Sequence, residues 1–358
     1  MTLGLCMIVK NESDVLSRAL DGISGVVDEI VIVDTGSSDN TADIARKYTD
    51  KVYAFVWRDD FGAARNFALS KLTTDYWMWL DADDVVPIKT ARAVKKFVTT
   101  ADGSADAVMM PYVTGVDSRG KPSFSYYRER ILKRRPEFVW QGRVHEAVAV
   151  FGNVLRMPQP IIHSKPTNRS AGTRNLDIYR GMVEQGIELS PRDRYYYARE
   201  LYYNGFTEQA ADEFWMFIRS DGTAFNKADA CVMLSKCFRC LGDKMSALLA
   251  AADSFAFGLP TGEACCEMGL LFAELDDYKQ AAYWYERALR AKPDYSSGAF
   301  VDRECYSFIP LVWLSVCYDK LNDKKRAYGY HCRAEKLRPD HPSVMANRRY
   351  FDSLGFNE

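Results

Sequence analysis

A chain of 358 residues, 47% of them hydrophobic, is long enough to fill two domains with proper cores. Its formal net charge of −1 gives no electrostatic case for nucleic-acid binding or for a polybasic membrane anchor. No apolar run approaches the ~18 residues of a spanning helix, and the first strand begins at the amino terminus, so a cytoplasmic protein with no integral membrane segment is expected.

Leu3-Gly4-Leu5-Cys6-Met7-Ile8-Val9 reads as a buried strand, followed by Lys10-Asn11-Glu12 and an amphipathic helix to about Ile23. Glu29-Ile30-Val31-Ile32-Val33 predicts a second strand. It ends in Asp34-Thr35-Gly36-Ser37-Ser38-Asp39, a cluster of turn formers in which Ser38 or Asp39 can cap a helix to Lys47. A third strand spans residues 51–56, and a helix carries Phe61 to Leu69 with Ala64-Arg65-Asn66 at its centre. Tyr76-Trp77-Met78-Trp79-Leu80 is too short for a helix and predicts a fourth strand, running into Asp81-Ala82-Asp83-Asp84. Strands alternating with single helices predict a mostly parallel sheet with helices on both faces and the polar strand ends along one edge. On an extended segment Asp81 and Asp83 point to the same face. Two such carboxylates are hard oxygen donors suited to Mg²⁺ or Mn²⁺, and a solvated acidic turn is the alternative. No dinucleotide-type G-x-G-x-x-G follows the first strand and no P-loop occurs, so phosphates must be met by a metal and basic side chains.

The series Met7-Ile8-Val9-Lys10-Asn11-Glu12, Val33-Asp34-Thr35-Gly36-Ser37-Ser38-Asp39, Ala64-Arg65-Asn66 and Leu80-Asp81-Ala82-Asp83-Asp84 resembles the family 2 glycosyltransferases, which have the α/β GT-A fold. Arg130-Ile131-Leu132-Lys133-Arg134, Trp140-Gln141-Gly142-Arg143-Val144-His145-Glu146 and Ile161-Ile162-His163 are similar to the branch holding lipopolysaccharide-core glucosyltransferases and bacteriocin S-glycosyltransferases of the sublancin type. The resemblance covers residues 1–170 and implies transfer of one sugar, with inversion, from a nucleotide donor that leans to uridine diphosphate. It implies donor contacts at Val9, Lys10, Glu12, Asp34, Arg65, Asp81 and Ala82, with Asp34 toward the nucleoside and Arg65 toward the diphosphate. The bland uses are a helix cap for Asp34 and a surface ion pair for Arg65. It further implies metal ligation by Asp83 and His163, and general base catalysis by Glu146 with His145 as competitor or orienting group; Asp84 is a weaker competitor for the base. The Gln-x-x-Arg-Trp signature of processive membrane synthases is absent, which favours a single transfer.

From about Thr173 helical periodicity takes over, and residues 171–358 are expected to form an all-α helical repeat domain. Ala281, Tyr285, Ala288 and Pro293, preceded by Gly269 and Phe272, resemble a tetratricopeptide unit. The frame returns at Leu314, Tyr318, Ala327, Ala334 and Pro339. Weaker repeats fall at Ala198, Gly205, Ala210 and Phe214, and at Leu234, Phe238, Gly242 and Ala247. The wider spacing between Ala281 and Ala327 predicts a loop at Tyr295-Ser296-Ser297-Gly298. Such arrays bind peptides or proteins, so a peptide or protein acceptor is expected, with a saccharide or lipid-linked acceptor as runner-up; the same surface also suits a homodimer. Of the nine cysteines, Cys231, Cys237 and Cys240 include a C-x-x-C without a second ligand pair, which reads as buried thiols rather than zinc. A nucleotidyltransferase would want the same carboxylates but also a Gly-rich loop after the first strand, and a catalytically dead repeat scaffold has no need of the Asp34, Arg65, Asp81, Asp83 set.

Overall fold

The computed structural model describes residues 1–116, 122–164, 172–294 and 300–356. The chain divides into two compact units, Met1–Glu188 and Leu189–Glu358.

The first unit begins with β1 (Leu3–Val9), α1 (Leu16–Asp21), β2 (Glu29–Asp34), α2 (Thr41–Ala45), β3 (Val52–Ala54), α3 (Phe61–Ser70) and β4 (Tyr76–Trp79). These four strands are parallel in the order β3-β2-β1-β4. The chain moves outward from β1 to β3 and then returns to β1's other side, so a topological switch point lies at the carboxyl end of β1, where open α/β sheets bind their ligands. It continues through β5 (Asp84–Val85), α4 (Ile88–Thr100), β6 (Ala107–Val116), β7 (Pro122–Lys133), β8 (Trp140–Gln141), β9 (Ala147–Val148), β10 (Val154–Arg156), β11 (Ile161–His163) and α5 (Arg174–Glu184). Here the sheet turns mixed. β7 runs antiparallel to β4 and β6, while β11 pairs parallel with β6 and antiparallel with β5. The result is a GT-A sheet with helices on both faces.

Alternation along β4 explains the two cores. Tyr76 and Met78 join Leu16, Leu20, Val94 and Val98 on the face covered by α1 and α4. Trp77 and Trp79 point the other way, to Ala64 and Ala68 of α3 and to Phe138 and Trp140. All four β4 residues are buried, as a central strand covered on both faces requires.

Several local expectations shift. The helix after β1 is only six residues long, because Glu12 first closes a turn, its carbonyl accepting from the amides of Val15 and Leu16. Asn40 rather than Ser38 or Asp39 holds the cap position of α2, with no side-chain cap bond; Asp39 accepts the Thr41 amide from just outside. Asp81 to Asp84 do not extend β4: the Asp84 amide donates to the Asp81 carbonyl at 3.0 Å, forming a turn that sends Asp81 and Asp83 to different neighbours. Finally, α5 lies in the first unit, its buried Tyr179 hydroxyl reaching the Val144 carbonyl at 3.4 Å, so the division falls at 188/189 where the sequence suggested 170/171.

The second unit is all helix: α6 (Pro191–Tyr203), α7 (Thr207–Ile218), α8 (Ala224–Cys240), α9 (Lys244–Asp253), α10 (Gly262–Glu274), α11 (Tyr278–Arg290), α12 (Phe308–Lys320), α13 (Lys324–Leu337) and α14 (Pro342–Ser353). Consecutive helices from α6 to α13 form four pairs. The turns inside the pairs repeat one solution. Gly205, Gly242, Asp276 and Asn322 take φ of 84°, 86°, 59° and 59°, in the left-handed region. In the last three pairs an aspartate follows at once, and Asp243, Asp277 and Asp323 each accept the amide three residues on. Ala198, Ala210, Ala247, Ala281, Ala288 and Ala327 are fully buried, which lets paired helices approach. The expected loop at Tyr295 to Gly298 lies outside the described residues.

Candidate active site

The carboxyl ends of β1 and β2 are laced together. The Asn11 amide donates to Ser37 Oγ at 3.0 Å, Asn11 Oδ1 accepts from the Ser38 amide at 2.8 Å, and the Glu12 amide donates to Thr41 Oγ1 at 2.7 Å. Asn11 adopts φ 55°, a conformation that asparagine tolerates better than most residues. Asp34 Oδ1 accepts from the amides of Gly36 and Ser37 at 2.9 and 2.7 Å, shaping its own loop rather than capping α2. Val9 is buried, with its carbonyl taken by Thr35; Lys10 is exposed beside it. Val9, Lys10, Glu12 and Asp34 therefore share one rim.

Arg65, projecting from α3, is the hub of the next layer. Its Nη2 donates to Asp81 Oδ1 at 2.7 Å and its Nε to Glu146 Oε1 at 2.5 Å. The guanidinium lies 4.9 Å from the ring centroids of both Trp79 and Trp140 and is only 8% exposed. Burial alone would lower its proton affinity; the two carboxylates outweigh that and raise it. Arg65 is thus not a surface ion pair. Burial pushes the Asp81 carboxyl up, yet Arg65 and Arg130 hold it down at about 2, so it stays ionised.

The segment carrying Glu146 is fixed to the same helix. Asn66 makes a two-way clamp on Trp140, its Nδ2 donating to the carbonyl and its Oδ1 accepting from the amide, both at 2.9 Å. The Phe61 amide donates to the Arg143 carbonyl at 2.9 Å, and a Cβ at Gly62 would come 2.5 Å from the Gly142 carbonyl oxygen. Only glycine allows that approach. His145 sits at φ 50°, a left-handed conformation that costs a non-glycine residue on the order of 1 kcal/mol. The carbonyl of Glu146 accepts from Arg128 Nη2 at 3.3 Å.

A third cluster gathers Asp83, Asp84 and His163, whose ligand atoms all lie within 4.8 Å of one another. The β5–β11 register sets His163 directly opposite Asp84. His163 Nδ1 is 3.2 Å from Asp83 Oδ1 and 2.8 Å from the Tyr112 hydroxyl, which itself reaches Asp84 Oδ1 at 2.9 Å. Burial pulls the imidazole pKa down, but its bonds to Asp83 and Asp84 prevail and raise it to about 9. Two carboxylates and an imidazole form a donor set that fits Mg²⁺ or Mn²⁺. Beneath it, Arg130 is completely buried between Trp79 and Tyr112, with ring centroids at 3.8 and 4.3 Å, and its Nη1 donates to Asp84 Oδ2 at 3.1 Å. Ala82, buried in the turn, separates Asp81 on the Arg65 side from Asp83 on the His163 side.

Asp83 and His163, both expected at a metal, come together; Arg65, Asp81 and Glu146, given separate roles from the sequence, also converge, which the sequence did not predict. Asp84, weighed above as a base, has no solvent-exposed side-chain surface and belongs with the Asp83–His163 cluster. Tyr112 and Asn66 were not singled out from the sequence as site residues. A Tyr within an apolar strand carries no local signal, whereas Asn66, adjacent to Arg65, could have been suspected from its place in the motif.

A GT-A-type α/β domain is thus followed by helical repeats. The profile of Glycosyl transferase family 2 matches residues 5–157, and that of the Tetratricopeptide repeat matches residues 262–295. The chain therefore carries a family 2 glycosyltransferase domain joined to tetratricopeptide repeats. It is 24% identical over 223 residues to the prophage-derived glycosyltransferase SunS of Bacillus subtilis, covering 59% of this chain and 52% of SunS. It is 32% identical over 146 residues to a TPR repeat-containing protein of Synechococcus elongatus, covering 41% of this chain and 35% of that one. The lipopolysaccharide core biosynthesis glycosyltransferase LpsC of Rhizobium meliloti is 22% identical over 210 residues, with 55% of this chain and 76% of LpsC covered. The chain thus spans about half or less of the length of SunS and the Synechococcus protein. No described helix is long and apolar enough to cross a membrane.

Proposed function

We propose that the first unit is a metal-dependent, inverting glycosyltransferase that moves a single sugar from a nucleoside diphosphate donor, with uridine diphosphate the favoured nucleotide, to a peptide or protein acceptor. The observation that carries this reading is the convergence of Asp83, Asp84 and His163 one turn away from the Arg65–Asp81–Glu146 network, at the switch-point end of the sheet.

The rim formed by Val9, Lys10, Glu12 and Asp34 receives the nucleoside, and Asp81 completes it. Arg65 holds Asp81 and Glu146 in place; reaching the diphosphate would cost it one of those bonds. Asp83 and His163, joined by Asp84, hold a divalent cation, which when bound offsets charge on the diphosphate. Arg130 and Tyr112 fix Asp84 for that task. Glu146 accepts the acceptor proton through the carboxylate oxygen that Arg65 does not take, and His145 orients the turn it sits in. An acceptor of peptide type is supported by the repeats in the second unit and by the resemblance to bacteriocin S-glycosyltransferases. The likeness to LpsC favours the second reading, a saccharide or lipid-linked acceptor.

The test is hydrolysis and binding of a panel of nucleotide sugars with Mn²⁺, for wild type and Asp83→Ala. Metal-dependent turnover of one donor, lost in the variant, is expected. Failure of the wild type to bind any nucleotide sugar, with or without metal, would sink the enzyme and leave the repeat scaffold.

A further inference from the structure

Stacked helical pairs present a concave face for binding, yet here part of that face is covered. In α8, residues 230–235 are buried without interruption, and in α10 so are residues 264–269. A helix buried on every side at one level has something lying on it besides its own pair.

Helix α8 is packed by its neighbours in the helical stack, whereas on α10 the covering chain is a further segment of the protein itself. Described residues between α11 and α12 supply the contacts. The Phe300 ring lies 4.4 Å from the Arg199 guanidinium of α6 and meets Tyr196 edge-on, with centroids 6.4 Å apart. Val301 is 3% exposed. The Asp302 amide donates to Glu263 Oε1 of α10 at 2.7 Å, and the Tyr306 hydroxyl donates to Glu263 Oε2, also at 2.7 Å. The Cys305 carbonyl accepts from Cys266 Sγ at 3.4 Å. Arg199 meanwhile donates to Asp229 of α8 at 2.7 Å and to the hydroxyls of Tyr195 and Tyr203, each at 3.1 Å. One short stretch thereby engages α6, through an arginine that is anchored on α8, and α10 directly, through Glu263 and Cys266.

We infer that residues 300–306 are an internal peptide ligand of this face. Phe300 is the anchor, in a pocket made by Arg199 and Tyr196, and the acidic Glu263 reads the backbone N–H behind it. A free peptide bearing an aromatic side chain competes for the same pocket. The attraction is chemically ordinary: an arginine already neutralised by Asp229 presents its flat face to a ring, and the flanking tyrosine adds an edge. A tethered ligand acts at an effective concentration on the order of millimolar, so the wild-type pocket is masked against free peptide. Peptide binding here is independent of catalysis, because it is read without any donor or turnover.

The probe is a fluorescein-labelled heptapeptide of residues 300–306, with serine in place of the cysteine, followed by anisotropy on the full chain. Phe300→Ala is expected to bind it at least tenfold more tightly than wild type does, and a peptide with alanine replacing the phenylalanine is expected to lose that gain. Equal binding by the variant and the wild type, or an equal gain for the peptide lacking phenylalanine, overturns the inference. If Phe300→Ala melts below the assay temperature, Phe300→Leu takes its place; a gain of the same sign is then expected, and its absence overturns the inference as well.

Discussion

Arg65 and Glu146 stand eighty-one residues apart in the chain and meet at 2.5 Å, with side chains 9% and 10% exposed. The contact joins α3 to the segment after β8, and through Asp81 it reaches the end of β4 as well. One guanidinium therefore sets the relative position of Asp81, just after β4, and Glu146, just after β8.

Arg65→Met tests that role. The substitution keeps the apolar stem between Trp79 and Trp140 but leaves Asp81 and Glu146 as neighbouring carboxylates without their shared cation. Breaking a buried pair in this way typically costs about 3–5 kcal/mol, so a large fall in melting temperature is expected, together with loss of donor turnover by about 100-fold or more. Glu146→Gln, which keeps one acceptor oxygen for Arg65, should melt close to wild type while turnover collapses. If Glu146→Gln turns over donor and acceptor at the wild-type rate, Glu146 is a positioning residue and not the base.

Asn66 offers a softer perturbation of the same segment. Asn66→Ala strands the amide and carbonyl of Trp140, a residue 4% exposed. Each buried group left unsatisfied costs about 1–3 kcal/mol. With two groups stranded, urea denaturation should report a loss of about 2–6 kcal/mol. Because the clamp positions Glu146 without touching substrate, kcat should fall more than donor KM rises; a pure KM effect would argue that the clamp serves the nucleoside pocket instead.

The pH dependence of His163 has a definite sign. In protein treated with a chelator, its pKa is raised from 6.5 to about 9 by Asp83 and Asp84, against the pull of burial. The proton's stabilising effect is therefore complete below pH 6.5 and disappears as pH climbs through 9. The stability advantage of wild type over His163→Leu should shrink across that window when melts are run in EDTA. Mn²⁺ must displace the same proton, so its binding should strengthen over the same interval, by up to about tenfold per pH unit. Calorimetry in buffers of different ionisation enthalpy would detect the released proton, and a flat profile from pH 6.5 to 9 would contradict ligation by His163.

In the second unit the close approach at Gly269 is the sharpest test of packing. A Cβ there would lie 2.8 Å from the ring of Tyr285, which is fully buried and stacked on Trp313 with centroids 5.8 Å apart. The ring has nowhere to go. Gly269→Ala should destabilise the chain by about 1–3 kcal/mol, as overpacking does, even though alanine is the better helix former. Thermal melting reads the difference directly, and a Tm equal to wild type would show that α10 and α11 can part at this point without cost.

The sequence by itself determined the two-part architecture, the polar clusters at the strand ends and the repeat frame, because each is written in local patterns. β4 is a run of bulky apolar residues followed by carboxylates, and the repeat alanines at 210, 247 and 281 recur at similar spacing before a wider gap to Ala327. It also set Asp83 beside His163, through the family resemblance rather than through spacing. Only the tertiary structure decided how the carboxylates are divided. The turn at residues 81–84 sends Asp81 to Arg65 and leaves Asp83 and Asp84 to His163, and no alternation rule reaches across a turn. Likewise the partners of Asp84, Tyr112 and Arg130, arrive from β6 and β7 through an antiparallel register that sequence periodicity cannot specify. The seat of Phe300 on Arg199, a hundred or so residues earlier, follows the same logic: contacts between distant segments are set by how whole elements pack, and the chain records only the faces that do the packing.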